Sequence, residues 1–315
     1  MTSSRPGRSS AGSKITVRYA TGSAVHLCSD FRSEVFLLLL DALASLKANS
    51  VNELDLAAEF LSRGVDVLLD RDAAVLDERL LQEAGCRCDF IQAGQGCSRI
   101  NTKIISDSET ALNGQGPQLS KEELQKLFTK LQGLTQDDIL VLAGSIPASL
   151  PDDIYEQILE LLQPACTRVV VDATGDLLLK VLKYKPFLIK PNHEELGEFF
   201  GRGPLLNEED ILAAALKLQQ QGARNVLVSR GADGAVLLDE NGRQHMMASP
   251  KGKLVNSVGA GDSMVAGFLA GYLKTQDYEE ALRLGVAAGS ASAFKDWLAT
   301  SDDIDKIILQ GVTNK

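Results

Sequence analysis

From about residue 86 onward, short continuous apolar runs alternate with longer runs whose apolar residues recur every three or four positions. The continuous runs predict strands at Ile139–Ala143, Arg168–Asp172, Phe187–Lys190, Asn225–Ser229 and Ala235–Asp239. The spaced runs predict helices at Lys121–Leu131, Asp152–Leu162, His193–Phe200, Glu208–Gln221, Asp262–Lys274, Tyr278–Phe294 and Asp302–Leu309. A strand that is apolar at every position must be covered on both faces. Strand–helix alternation of this kind therefore predicts an α/β fold, a mainly parallel central sheet with helices on both faces. Ligands of such sheets bind beyond the carboxyl ends of the strands.

The first 85 residues have a different texture. Residues 34–85 read as helical pieces broken at Asn49 and Gly64, with Leu54, Ala57, Ala58 and Leu61 at helical spacing. Residues 1–29 carry Arg5, Arg8, Lys14 and Arg18 and no acid. Their Ser- and Gly-rich opening fits a transit peptide or a disordered arm, and the missing cleavage signal favours the arm.

Composition narrows the function classes. Acidic residues outnumber basic ones 42 to 32, for a formal net charge of -10. That sign disfavours nucleic-acid and anionic-membrane partners. It still allows a phosphate pocket built from backbone N–H groups, which act at short range. The five cysteines, Cys28, Cys86, Cys88, Cys97 and Cys166, imply no disulfide framework. His26, His193 and His245 lie too far apart to form a metal signature. The apolar run Val35 to Leu40 is far short of the ~20 residues that cross a bilayer. A soluble protein of the cytoplasm is expected.

The candidate chemistry sits just after strands. In Asn256-Ser-Val-Gly259-Ala-Gly261-Asp262-Ser, two glycines flank Ala260 and an Asp opens a helix patterned with small residues. Such glycines let the backbone turn tightly and aim N–H groups outward, and the helix start adds partial positive charge. Gly259, Ala260 and Gly261 can thus form an anion hole, with Asp262 beside it as a base for an attacking hydroxyl. The same residues read equally well as a plain turn with Asp262 as an ordinary cap. Ser229-Arg-Gly231-Ala-Asp-Gly234 follows one strand and begins another, and its glycines allow close approach of a ligand. Lys190-Pro-Asn192-His-Glu-Glu195 follows a strand and opens a helix. Asn192 and Glu195 share a helical face and can reach magnesium through its waters, or can form a capping box. Leu142-Ala-Gly144-Ser145-Ile-Pro147 ends a third strand in a small-residue turn.

In order and wording these motifs resemble the ribokinase-like (PfkB) carbohydrate kinases, in particular their 1-phosphofructokinase and tagatose-6-phosphate kinase branch. The resemblance runs from about residue 88 to 309. Ser-Val-Gly-Ala-Gly-Asp-Ser resembles the family's C-terminal signature. Lys190-Pro-Asn192 with Glu195 resembles its Asn-x-x-Glu element, and Ser229 to Gly234 its nucleotide loop. Ser98-Arg99-Ile-Asn101-Thr-Lys103 resembles the strand that touches the sugar phosphate. The stretches Asn113 to Pro117 and Ala143 to Pro151 favour the 1-phosphofructokinase side of the branch.

The resemblance implies Asp262 as catalytic base, with Gly259, Ala260 and Gly261 as the anion hole. It implies Ser229, Gly231 and Gly234 along ATP with Lys190 and Asn192 nearby, and Glu195 placing Mg2+. Arg99, Asn101, Lys103 and Ser145 fall on the side of the sugar phosphate, where Arg99 and Lys103 can balance its charge. Lys103 reads as readily as a solvated strand residue. His193 reads as a bystander in the first helical turn. Arg230 departs from the small or apolar residue the family commonly has there. The implied reaction is ATP-dependent phosphorylation of a ketohexose phosphate, most simply fructose 1-phosphate to fructose 1,6-bisphosphate, with tagatose-6-phosphate kinase as the alternative. A homodimer is among the family's arrangements.

Residues 1–85 lack the Asn-Pro, Gly-Gly and Gly-Lys-Gly sequences that the family uses to hold and cover the sugar. The chain therefore reads as an atypical N-terminal segment, replaced or out of frame, joined to a kinase domain at 86–315. Two expectations follow. The sheet lacks its opening strands and exposes an apolar edge. The chain is then either a kinase with an unfamiliar sugar site or a nucleotide-binding remnant without one.

Overall fold

The computed structural model describes residues 16–21, 24–29, 89, 91, 93–94, 101–105, 109–113, 117–143, 146, 149–295 and 298–313. The arm read at 1–14 and the helical pieces read at 34–85 lie outside these residues. In chain order the elements are β1 (Thr16–Thr21), β2 (Ala24–Ser29), β3 (Asn101–Ile105), β4 (Glu109–Asn113), α1 (Lys121–Leu131), β5 (Ile139–Ala143), α2 (Ile154–Leu162), β6 (Arg168–Asp172), α3 (Gly175–Val181) and β7 (Leu188–Ile189). They continue with α4 (His193–Glu198), α5 (Glu208–Gln221), β8 (Asn225–Ser229), β9 (Ala235–Leu238), β10 (Gln244–Met247), α6 (Ala260–Thr275), α7 (Tyr278–Ala293) and α8 (Ser301–Thr313).

One mixed sheet carries the strand order β10-β9-β8-β7-β6-β5-β1-β2, and β3 and β4 form a separate hairpin. Strands β1, β5, β6, β7 and β8 run parallel to one another. The antiparallel pairings lie at the two ends of the sheet. The carboxyl ends of β5 to β8 thus share one edge.

The continuous apolar strands feed two cores at once, because successive side chains leave a strand on opposite faces. Leu140 and Leu142 of β5 join Val169, Val171, Ile189, Val226 and Val228 in a core with the helices α1, α2, α3 and α5. Ile139 and Val141 join Val170, Leu188 and Leu227 in a second core with α6 and α7. Ile139, Leu140, Val141 and Leu142 are all fully buried. Each such side chain contributes about 1.5–3 kcal/mol of burial, which is why β5 stays apolar throughout.

Three features differ from the sequence expectation. First, β1 pairs in parallel with β5, from Val17 opposite Ile139 to Ala20 opposite Leu142. The strands expected to be missing beside β5 are therefore supplied by residues 16–29, and that edge of β5 is covered. Arg18 separates Val17 from Tyr19 and threonines bound the strand, so a search for continuous apolar runs passes over β1. Second, β10 alternates exposed and half-buried positions, as an edge strand does, and offers no apolar run either. Third, α3 spans only seven residues, too few to show helical periodicity.

Helices α6 and α7 pack unusually closely because glycines line their contact. A Cβ on Gly267 would lie 2.5 Å from the Leu284 carbonyl oxygen, and one on Gly271 2.8 Å from Cα of Ala281. From the other side, a Cβ on Gly285 would lie 2.9 Å from the Met264 carbonyl oxygen. This is the physical basis of the small-residue pattern read after Asp262.

Candidate active site

Three of the motifs, with Asp172, meet at the shared carboxyl edge. Asp172 ends β6, Lys190 follows β7, Ser229 ends β8, and the start of α6 lies against them. Pairing continues past β7, where Ser229 N–H donates to the Pro191 carbonyl at 3.1 Å and Asn192 bridges to Ser229 in parallel.

Gly259 caps α6 with φ +77, a conformation that favours glycine. No side chain caps this helix start. Ala260 N–H turns back to the Ser257 carbonyl at 3.2 Å. Among the described residues, the N–H groups of Gly261 and Asp262 have no protein acceptor. Those two amides, more than Ala260, are the free donors of the expected anion hole. The Lys190 ammonium lies just beneath them, since a Cβ on Gly261 would stand 3.2 Å from its Nζ. The helix start and the buried ammonium are thus close neighbours.

Lys190 is buried and pairs with Asp172, Nζ to Oδ1 3.2 Å. Burial drives Asp172 up to about 6; Lys190 opposes the rise, and the Asp262 and Glu195 carboxylates add to it. Burial works to lower Lys190, but Asp172, Asp262 and Glu195 together hold it above the ordinary lysine range. The centre is therefore an ammonium among three carboxylates, with Asp262 the exposed member. Behind it, Tyr155 Oη donates to the Ala143 carbonyl at the end of β5, 3.1 Å away.

The capping box read at Asn192 and Glu195 is formed. Asn192 Oδ1 accepts from the N–H groups of Glu194 and Glu195, both at 2.8 Å, and Glu195 Oε2 accepts from Asn192 N–H at 2.9 Å. The Asn192 oxygen is thus committed to the cap, while Glu195 keeps its second oxygen for a ligand. The two glycines of the expected nucleotide loop divide. Gly231 (φ +57) faces open space, as close ligand approach requires. Gly234 (φ +86) packs on the chain itself, where a Cβ would stand 2.0 Å from the Met247 carbonyl oxygen. The departure at Arg230 has a local partner, Glu208 Oε1 at 2.9 Å, which ties the loop to the start of α5.

Of the residues expected on the sugar-phosphate side, Asn101 and Lys103 lie on β3, two residues apart in register, with Asn113 opposite Asn101 and Ala111 opposite Lys103. Arg99 and Ser145 lie outside the described residues. Asp172 was not singled out from sequence. Its signal was available: a carboxylate ending an apolar parallel strand, one strand away from Lys190.

Sheet order, parallel centre and helices on both faces define a ribokinase-like α/β protein. The chain belongs to the pfkB family of carbohydrate kinases, whose family model matches residues 73–303. It is 49% identical over 214 residues to the 1-phosphofructokinase of Bacillus subtilis, spanning 68% of this chain and 70% of that one. It is 37% identical over 222 residues to the D-tagatose-1-phosphate kinase of Bacillus licheniformis, spanning 70% and 72%. The solved phosphofructokinase-2 of Escherichia coli shares the fold with a TM-score of 0.70 at 22% identity, over 94% of this chain and 95% of that one. The family match begins at residue 73, inside the segment that reads as atypical.

Proposed function

We propose that this chain transfers the γ-phosphoryl group of ATP to the 6-hydroxyl of fructose 1-phosphate, giving fructose 1,6-bisphosphate and ADP. The observation that carries this reading is the proximity of the Lys190 ammonium and the free Gly261 and Asp262 amides at the start of α6. The 49% identity to a 1-phosphofructokinase supports the substrate.

In this mechanism the exposed Asp262 accepts the proton of the acceptor hydroxyl as that oxygen attacks phosphorus. The amides and Lys190 take up the charge that develops on the transferring group, and they are in place before it arrives. Ser229 and Gly231 line the nucleotide, and the Arg230–Glu208 pair steadies their loop. Asn192 acts through its cap, fixing the turn that carries Lys190 and Glu195. The cluster fits a divalent ion, because Asp172, Glu195 and Asp262 outweigh the single ammonium. Among the described residues no group of three or more His, Cys, Asp or Glu side chains is placed to hold a metal by itself; magnesium commonly keeps several waters and takes phosphate oxygens as further ligands. When bound, Mg2+ would neutralise phosphate charge, with Glu195 and Asp172 holding it through water. Asn101 and Lys103 on β3, with Arg99 and Ser145, would take the sugar phosphate.

The 37% identity to a D-tagatose-1-phosphate kinase favours a second reading, tagatose 1-phosphate, which differs from fructose 1-phosphate only at C4. Tagatose 6-phosphate remains the third acceptor to compare. We place the protein in the cytoplasm, as a homodimer in keeping with its family. No helix among the described residues is long and apolar enough to cross a membrane.

An ADP-release assay with Mg-ATP and each sugar phosphate tests the reading, with Asp262→Ala as the blank. Turnover on fructose 1-phosphate, lost in the variant, is the expected result. Nucleotide binding without turnover on any acceptor would instead identify a remnant lacking its sugar site.

A further inference from the structure

The turn that opens α6 is held from behind by a chain of hydroxyls. Ser263 N–H and Ser263 Oγ–H both donate to the Gly259 carbonyl, at 2.9 and 2.8 Å. With that proton committed, Ser263 Oγ accepts from Ser292 Oγ at 2.8 Å. Ser292 Oγ in turn accepts the Ala299 N–H at 3.0 Å. Ser263, Ser292 and Ala299 are each 0% exposed. Donors therefore point one way along the whole chain, from Ala299 through Ser292 and Ser263 to the Gly259 oxygen. Aligned hydrogen bonds in a dry interior polarise one another.

The end point matters. The Gly259 carbonyl and the Ala260 N–H belong to one planar trans peptide, so fixing the oxygen fixes the direction of the amide. That peptide follows a residue at φ +77, which is glycine and has no side chain to anchor it. The next two amides are the free donors of the anion hole. The glycine-lined contact of α6 and α7 brings Ser292 close enough to reach Ser263. At its far end the relay joins a rigid turn. Beyond Ala299, Thr300 N–H and Oγ1–H donate to Asp303 Oδ2 at 3.0 and 2.7 Å, and Lys295 Nζ reaches the same oxygen at 2.5 Å.

We propose that Ser292 is a positioning residue for phosphoryl transfer. Acting through Ser263, it sets the Gly259–Ala260 peptide and with it the amides that receive the transferring group. The proposal rests on the kinase reading above. It adds a residue 30 positions from the Gly-Ala-Gly-Asp motif that touches neither substrate.

The test compares full-length wild type with Ser292→Ala, Ser263→Ala and the double variant, with Ser292→Cys to preserve side-chain volume. The first readout is hydrogen exchange of the 257–264 segment without ligand, well below the melting temperature. The second is kcat and KM with Mg-ATP and sugar phosphate. Ser292→Ala should speed exchange of the hydrogen-bonded Ala260 and Ser263 amides and lower kcat, each about tenfold, with KM for the sugar phosphate unchanged, because preorganised amides act on the transition state. The double variant should be no worse than Ser263→Ala, since both lie on one relay. Ser292→Cys should fall between wild type and Ser292→Ala. Unchanged exchange at Ala260 and Ser263 in Ser292→Ala, or additive losses in the double variant, would overturn the proposal. Should wild type turn over no sugar phosphate, the kinase reading fails, and the exchange result alone then supports or overturns the relay.

Discussion

Asp172 and Lys190 end neighbouring parallel strands and meet as a pair 3.2 Å apart, with Gly261 directly above the ammonium. Asp172 is the strained partner, raised to about 6 by burial against the pull of Lys190 and with the push of Asp262 and Glu195. A carboxyl whose folded pKa exceeds its unfolded value binds a proton preferentially in the folded state. Its contribution to stability is thus fully present below pH 4 and is lost as pH rises through about 6. Asp172→Asn mimics the protonated form. Without nucleotide or metal, the variant should gain stability over wild type between pH 4.5 and pH 7, by about 3 kcal/mol across the whole titration. Denaturant melts at both pH values check this. An equal difference at both would show that Asp172 does not titrate there.

Gly261 and Lys190 make a second prediction. A methyl group at Gly261 would stand 3.2 Å from the ammonium, so Gly261→Ala pushes Lys190 off the helix start. The helix itself tolerates alanine well. The expected outcome is a kcat lowered by about tenfold or more with a melting temperature close to wild type, since a small displacement at a reacting centre is expensive in rate. Steady-state kinetics with a parallel melt would decide it. Unchanged kcat would remove Lys190 from the transferring phosphoryl group.

The parallel centre of the sheet was legible because its physics is one-dimensional. The run Ile139–Ala143 must be buried on both faces, and its bounds and those of β6 and β8 match the sequence reading. The turn at Gly259 was legible for the same reason, since a glycine at positive φ before a helix start is a local signal. Asp172 was hidden because its meaning lies in a neighbour 18 residues away, which only strand pairing brings close. Ser292 was hidden likewise, a small polar residue among alanines in α7 that gains a role only from the packing of α6. β1 escaped because its pattern is alternating and its partner, β5, lies more than a hundred residues on.

The α6–α7 contact yields a prediction about stability. Gly267 approaches the Leu284 carbonyl so closely that a Cβ would sit at 2.5 Å, and backbone cannot give way as a flexible side chain can. Gly267→Ala should cost about 1–3 kcal/mol, although alanine favours a helix elsewhere. Because the displaced helix carries the proposed anion hole, kcat should fall as well. An exposed helical control, Leu216→Ala in α5, should change both little. Urea melts of the two variants make the comparison, and a stabilised Gly267→Ala would show that the helices are not in such close contact.

At the opposite edge of the sheet, where β9 ends, the buried Asp239 makes the last prediction. Burial alone would raise its carboxyl, but His245 Nε2 at 3.0 Å and the N–H groups of Arg243 and Asn241, both at 2.9 Å, together hold it below the ordinary value. A depressed carboxyl contributes stability that is present above its unfolded value, near pH 4, and is lost as pH falls through the lower folded value. His245→Ala removes one donor from a buried charge and should cost about 1–3 kcal/mol at neutral pH. It should leave kcat intact, because the active site lies at the other ends of the strands. The stability gap between wild type and variant should then close as pH drops below 4, once Asp239 is protonated in both. Melts at pH 7, 5 and 3 follow that gap. A gap that stayed constant to pH 3 would mean that His245 stabilises the β9–β10 turn by packing near Tyr278, 6.5 Å between ring centres, and not through the carboxylate.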